Sequence, residues 1–213
     1  MLSEKLIIFD FDGTIADTLP VLFDVVNDLA DTFGYKKVVK KDIASLRAMS
    51  VLQIFRTLHV PLLRVPCIAR RIRVELQSRM KHVQPVTSIK PLLLALRKKG
   101  CTLGILTSNA EENVVLFLKK NRLDIFDFVY SEPGIFRKGK ALSHIVQKQR
   151  LSASDAAYVG DEVRDVKAAR KAGICSVAVT WGFNSRKALE KQNADFVVDS
   201  PRELGLVLGK LSE

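Results

Sequence analysis

Leu6-Ile7-Ile8-Phe9-Asp10-Phe11-Asp12-Gly13-Thr14 is the stretch on which the reading of this chain turns. Four apolar residues run into two carboxylates one residue apart, and a glycine and a hydroxyl follow at once. A short apolar run bounded by turn signals reads as a buried strand of a parallel sheet. In an open α/β sheet the crevice beyond the carboxyl ends of the strands is where ligands bind, and Asp10 and Asp12 would stand there. Residues i and i+2 of an extended segment point to the same side, so both carboxyls can address one small site. Two anions that close repel each other unless a metal or a shared proton compensates. The pattern therefore points to an oxygen-liganded cation such as Mg²⁺ and to chemistry on something anionic.

Working outward, the residues after Thr14 turn helical. Leu19, Leu22, Phe23, Val26, Ala30 and Phe33 fall at helical spacing, and Gly34 supplies a stop. A second helix is expected over about 41–58 and a third over about 66–82, the latter with Ile68, Ile72, Leu76 and Met80 as an i, i+4 stripe. From residue 86 onward strands alternate with helices: a helix with Pro91 near its start, a strand from Cys101 to Leu106, a helix opened by the capping pattern Asn109-x-x-Glu112, and a strand from Phe126 to Tyr130. The alternation continues with a helix from Ala141, a strand from Ala156, a helix from Asp165, strands at Ile174 and Phe196, and a C-terminal helix near Pro201. This predicts an α/β fold, a doubly wound parallel sheet formed by 1–16 and 86–213, with an inserted α-helical domain over 17–85.

Each central strand ends in polar groups: β-type runs lead to Asp10, to Thr107-Ser108-Asn109, and to Gly160-Asp161-Glu162 with Asp165 four positions after Asp161. A sheet gains no stability from carboxylates gathered at one edge, so a shared site is the economical explanation. These residues resemble the motifs of the haloacid dehalogenase (HAD) superfamily, in that family's order. Asp10-Phe11-Asp12-Gly13-Thr14 matches D-x-D-x-T, Thr107 matches the hydroxyl that ends the second strand, and Gly160-Asp161-Glu162-Val163-Arg164-Asp165 matches G-D-x-x-x-D. The family's lysine has two candidates, Lys138 and Lys140, of which Lys138 is favoured because that lysine usually precedes its helix.

The resemblance implies an Mg²⁺-dependent phosphohydrolase with Asp10 as nucleophile, forming an aspartyl-phosphate on a small phosphomonoester. A carboxylate nearing a phosphate dianion meets about 4 kcal/mol of repulsion per unit pair near 4 Å at an effective dielectric near 20. A cation held by Asp10, Asp161, Asp165 and the Asp12 carbonyl would offset it. Asp12 would act as general acid and base, while Thr107 and Lys138 stabilise the transferring group. Gly13, Thr14, Ser108 and Asn109 would line the phosphate, and Asp165 would complete the metal shell or orient the lysine. A second carboxylate at Asp12 argues against carbon–halogen hydrolysis. A phosphomutase that passes the phosphoryl group to a sugar remains open, as does a non-catalytic binding protein.

The chain's net charge of +11 is concentrated in the insertion. Lys36 to Pro85 holds 12 Lys or Arg against Asp42 and Glu75, which leaves 22 basic and 21 acidic residues elsewhere. By resemblance this is the small helical cap of the phosphoglycolate phosphatase-like branch, and its charge fits attraction of an anionic phosphorylated substrate. A solvated helix face accounts equally well for Arg70, Arg71 and Arg73. With Phe55 as the one aromatic of that segment, base stacking on nucleic acid is disfavoured. No apolar run approaches the roughly 18 residues of a membrane span. Met1-Leu2-Ser3-Glu4-Lys5 lacks a secretory layout, and Cys67, Cys101 and Cys175 lack metal spacing, so a cytoplasmic location is expected. His59, His82 and His144 share no metal or triad spacing.

Overall fold

The computed structural model describes residues 5–132 and 137–211. The chain forms two compact units, the first running up to Asp17 and again from Gln84, the second being Thr18–Val83. In order the elements are β1 (Leu6–Phe9), α1 (Leu19–Phe33), α2 (Ile43–Leu46), α3 (Val51–Thr57), α4 (Val65–Arg79), α5 (Ile89–Lys98), β2 (Thr102–Thr107) and α6 (Glu111–Lys120). They continue with β3 (Phe128–Ser131), α7 (Lys138–Lys148), β4 (Ala156–Gly160), α8 (Val163–Ala172), β5 (Cys175–Val179), α9 (Arg186–Glu190), β6 (Phe196–Val198) and α10 (Pro201–Leu211).

The first unit is built on a six-stranded sheet of order β3-β2-β1-β4-β5-β6 in which every neighbouring pair is parallel. This is the doubly wound arrangement expected from the alternation of strands and helices. β1 is buried at all four positions because both sheet faces are covered. Leu6 and Ile8 pack with Ala156, Tyr158, Leu142 and Ala169 against α7 and α8, so Ile7 and Phe9 turn to the opposite face. The register pairs Phe9 with Ile105 on one side and Val159 on the other. Continued one or two residues, it brings Asp10, Thr107 and Asp161 to one edge. The strand order reverses at β1 and β4, the switch point where such sheets bind ligands.

β1 is followed by a tight turn in which the Phe11 carbonyl accepts from the amides of Ile15 and Ala16, both at 3.0 Å. The chain leaves the first unit beside the segment by which it returns. The Asp17 amide donates to the Gln84 carbonyl and the Val86 amide to the Ile15 carbonyl, each at 2.9 Å.

The second unit is helical. Val25, Leu29 and Ala30 of α1 pack with Tyr35 and Ile68, and Ile72 and Leu76 of α4 join them. Gly34 ends α1 at φ 71°, a left-handed position that glycine occupies at no steric cost, and its amide returns to the Ala30 carbonyl. The helix expected over 41–58 is two helices. Ser50 caps α3, its hydroxyl accepting from the Gln53 amide while its own amide donates to Gln53 Oε1 at 2.8 Å. This capping box starts a new helix. Apolar spacing runs through the break because Ile43 and Leu46 before it and Ile54 and Leu58 after it enter one cluster with Val38. The helix expected over 66–82 is α4 followed by a tighter 3₁₀ turn, Met80–His82. None of the three cysteines is in a disulfide; Cys101 is buried, Cys175 half-buried and Cys67 exposed.

Candidate active site

Asp10 leaves β1 with its amide tied to the Val159 carbonyl at 2.8 Å, which fixes where its side chain emerges. Oδ1 accepts from the Phe11 amide at 2.8 Å and Oδ2 from Lys138 Nζ at 2.6 Å. The same ammonium donates to Asp165 Oδ1 at 2.7 Å, and all three side chains are 4% exposed or less. Asp165 Oδ2 accepts from the Glu162 amide at 3.0 Å, so both of its oxygens are occupied. Lys138 is the first residue of α7, where the sequence suggested a position ahead of the helix. The helical turn separates the two lysine candidates. Lys138 is buried between two carboxylates, whereas Lys140 is exposed.

Asp161 stands at the end of β4. Its Oδ1 accepts from the Thr14 hydroxyl at 2.8 Å and its Oδ2 from the Phe183 amide at 2.6 Å. Gly13, at φ 75°, brings backbone against this carboxylate; a Cβ there would lie 2.5 Å from Asp161 Oδ2. Only glycine satisfies both the dihedral and the space.

Asp12 is half-buried and faces Asn109, whose side-chain amide donates to its two oxygens at 3.2 and 3.4 Å. The orientation of Asn109 is set because its Oδ1 accepts from the Ala110 amide and from Asn113 Nδ2. Asn109 is therefore not the helix cap that the spacing to Glu112 suggested. Ala110 occupies that position and has no capping side chain. Thr107 is fully buried, and its hydroxyl oxygen accepts from the Asn109 amide at 2.9 Å, which leaves its hydrogen free to donate elsewhere. Ser108 is half-buried in the same turn.

Electrostatics follow from this crowding. Burial, reinforced by Asp165 and partly offset by Lys138, pushes the Asp10 carboxyl up to about 7. Burial, then Glu162, Asp10 and Asp165, raises Asp161 well above the carboxylate range. For Lys138 burial opposes the charge, but Asp10 and Asp165 outweigh it and hold the ammonium protonated. Three carboxylates against one lysine leave two negative charges uncompensated when all are ionised.

Asp10, Asp161 and Asp165 offer oxygens that lie within 4.8 Å of one another. Hard oxygen donors, excess negative charge and a narrow cluster suit a divalent cation such as Mg²⁺. Each of the three carboxylates accepts a hydrogen bond at both of its oxygens, and each keeps lone pairs for that task.

Several residues outside the motifs shape the centre. Trp181, Gly182, Phe183 and Asn184 follow β5 and reach Thr14, Asp161 and Val163. Tyr158 lies under the lysine, its ring centroid 5.6 Å from Nζ. The signal available for the first group was the Trp-Gly-Phe run directly after a strand; backbone donors leave no other trace in a sequence.

An acidic, lysine-braced centre at the switch point of a parallel sheet is the layout of an α/β enzyme. The model of the haloacid dehalogenase-like hydrolase family matches residues 7–179. A phosphoglycolate phosphatase of Synechococcus elongatus is 37% identical over 199 residues, covering 93% of this chain and 94% of its own. One from Vibrio cholerae is 28% identical, with the same coverage. Among solved structures, a haloacid dehalogenase-like family hydrolase from Streptococcus pneumoniae superposes with a TM-score of 0.79 at 22% identity, covering 98% of this chain and all of the other. A predicted phosphatase from Clostridium acetobutylicum reaches 0.80 at 20% identity, covering 98% and 99%. The chain belongs to the haloacid dehalogenase-like hydrolase family, and it is an enzyme of that hydrolytic class.

Proposed function

We propose that this enzyme is an Mg²⁺-dependent phosphatase that hydrolyses a small phosphomonoester, with phosphoglycolate as the first substrate to test. The observation that carries the reading is the buried Asp10–Lys138–Asp165 ion triad with Asp161 beside it. The names of the relatives at 37% and 28% identity supply the substrate class. Asp10, Asp161, Asp165 and the Asp12 carbonyl would hold the cation, which when bound supplies charge neutralisation of the phosphoryl oxygens.

Asp10 attacks phosphorus with one carboxylate oxygen, forming an aspartyl-phosphate as the ester oxygen departs. Asp12 donates the proton to that leaving oxygen and then removes one from the water that attacks the aspartyl-phosphate. Its link to Asn109 aims the carboxyl, and the half-buried position lets water reach it. Lys138 offsets charge on the phosphoryl oxygens from its place beside Asp10, and Asp165 holds the lysine there. The Thr107 hydroxyl, accepting from Asn109, has its proton available for a phosphoryl oxygen. Ser108 and the Gly13–Thr14 turn line the same edge.

The basic second unit fits electrostatic attraction of anionic substrates. Cysteines outside any disulfide fit a cytoplasmic enzyme, and among the described residues no helix is long and apolar enough to cross a membrane. Phosphate release from phosphoglycolate and a panel of phosphorylated metabolites, with Mg²⁺ and with EDTA, tests the reading. Mg²⁺-dependent release lost in Asp10→Asn supports it. A folded, Mg²⁺-binding protein inactive across the panel would overturn it, and net transfer to a sugar without release would identify a mutase.

A further inference from the structure

The four residues after β5 and its short extension, Trp181-Gly182-Phe183-Asn184, touch the site at three points. Trp181 Nε1 donates to the Thr14 carbonyl at 3.2 Å, and the Phe183 amide donates to Asp161 Oδ2 at 2.6 Å. The Asn184 amide donates to the Asp161 carbonyl at 3.2 Å, and Asn184 Oδ1 accepts from the Val163 amide at 2.9 Å. One short segment thus binds the turn after β1, the side chain and backbone of Asp161, and the first residue of α8.

The steric fit is equally specific. A Cβ at Gly182 would lie 2.3 Å from Asp161 Oδ2 and 2.4 Å from its Cβ and Cγ. With Gly13 pressing from the β1 turn, the carboxylate sits in a slot walled by two glycine backbones. The slot leaves Asp161 little freedom to swing. Asn184, 7% exposed, locks the segment from beneath.

We propose that Trp181–Asn184 is a positioning strap that fixes where Asp161 presents its carboxylate, and thereby sets the affinity of the site for Mg²⁺. The inference rests on the Mg²⁺ reading given under Proposed function. None of the four residues needs to touch substrate; they act through Asp161. Partners of this kind, one bond removed from the metal, are worth about 10–100-fold in metal affinity in other proteins.

Two variants separate the strap from a packing role. Trp181→Phe keeps a ring and removes the donor to Thr14, while Gly182→Ala drives a methyl into the Asp161 carboxylate. Mg²⁺ affinity is read by calorimetry on the full chain without substrate. The wild type offers a second readout, because Trp181 is its one tryptophan and its fluorescence should change as Mg²⁺ binds. We expect Mg²⁺ to bind about tenfold more weakly in Gly182→Ala and severalfold more weakly in Trp181→Phe. At saturating Mg²⁺ the KM for the phosphoester should stay near the wild-type value, a split that general unfolding would not produce.

Should Gly182→Ala fail to fold, Trp181→Phe and the wild-type fluorescence carry the test. Folded variants with wild-type Mg²⁺ affinity, in a background where the wild type binds Mg²⁺ and is active, overturn the strap alone. A wild type that neither binds Mg²⁺ nor hydrolyses phosphoesters overturns the functional reading and the strap with it.

Discussion

Replacing Lys138 by methionine removes the ammonium that touches Asp10 at 2.6 Å and Asp165 at 2.7 Å while keeping the length and apolar stem of the side chain. Two carboxylates then face each other where neither is more than 4% exposed. Breaking a buried pair by deleting one partner costs about 3–5 kcal/mol. The loss depends on pH. In the metal-free protein Asp10 is held up at about 7 against 3.8 for the free group, chiefly by burial and against the pull of Lys138. A raised carboxyl binds a proton in the folded state that the unfolded chain releases, so its contribution falls as pH climbs from about 4 to about 7. Without Lys138 the lowering influence is gone, the folded value rises, and the decline extends further upward in pH. The variant should therefore lie nearest the wild type at pH 5 and fall furthest behind at pH 9. For a chain of this size 1 kcal/mol moves Tm by about 2–4 °C, so the gap at pH 9 is about 6–20 °C. Thermal unfolding by circular dichroism in EDTA from pH 5 to 9 measures it, and Asp165→Asn in the same chain should restore part of the loss. A gap equal at pH 5 and pH 9, or one of less than about 2 °C at pH 9, refutes the reasoning.

Asp161→Asn should raise Tm in EDTA at pH 8, because burial and the neighbouring carboxylates raise Asp161 and make its ionised form costly there. It should also abolish the Mg²⁺-induced rise, which for the wild type is worth about 2.7 kcal/mol at 100 times Kd; a lower Tm in EDTA with the Mg²⁺ shift intact would count against this. Gly104→Ala would set a Cβ 2.1 Å from the Phe128 ring and should cost about 1–3 kcal/mol in urea unfolding. Phe128→Leu should recover part of it, and an unchanged urea midpoint in the single variant disproves the close approach. Arg70→Gln with Arg73→Gln, both exposed on α4, should raise KM and flatten its salt dependence while kcat holds; if neither KM nor its salt dependence moves, these arginines are solvated surface.

The sheet was legible because both halves of its signal are local. Leu6–Phe9, Leu103–Leu106 and Ala156–Val159 are short apolar runs, and each is followed within two residues by a polar residue that a buried strand would exclude. Other features depended on more than period. Ser50-Val51-Leu52-Gln53 spelled a capping box in full, yet the apolar spacing from 41 to 58 ran through it and masked the break. At Asn109 the reverse held: the spacing to Glu112 suggested a cap, but the side chain is drawn to Asp12 and Asn113, contacts that span the fold. α9 went unread because five residues are too short for a helical period to register. Lys138 and Lys140 differ by two positions, and only the helical turn sends one inward and leaves the other in water.

The centre explains why its parts come from so many segments. Asp10, Asp161 and Asp165 would repel one another, and each is held by donors that meet only in the folded chain. Asp10 takes its own turn's Phe11 amide and Lys138 from α7; Asp161 takes Thr14 from the β1 turn and Phe183 from beyond β5; Asp165 takes Lys138 and the Glu162 amide. Such donors lower the cost of burying charge without cancelling it, since one ammonium stands against three carboxylates. The fold therefore holds a deficit of positive charge at the point where a divalent cation and a phosphoryl group would meet. Filling that deficit with a permanent second lysine would stabilise the protein and remove the place for the metal. An enzyme of this design must be less stable empty than loaded, which is why removing Asp161 and supplying Mg²⁺ should each raise Tm, and why the two gains should not add.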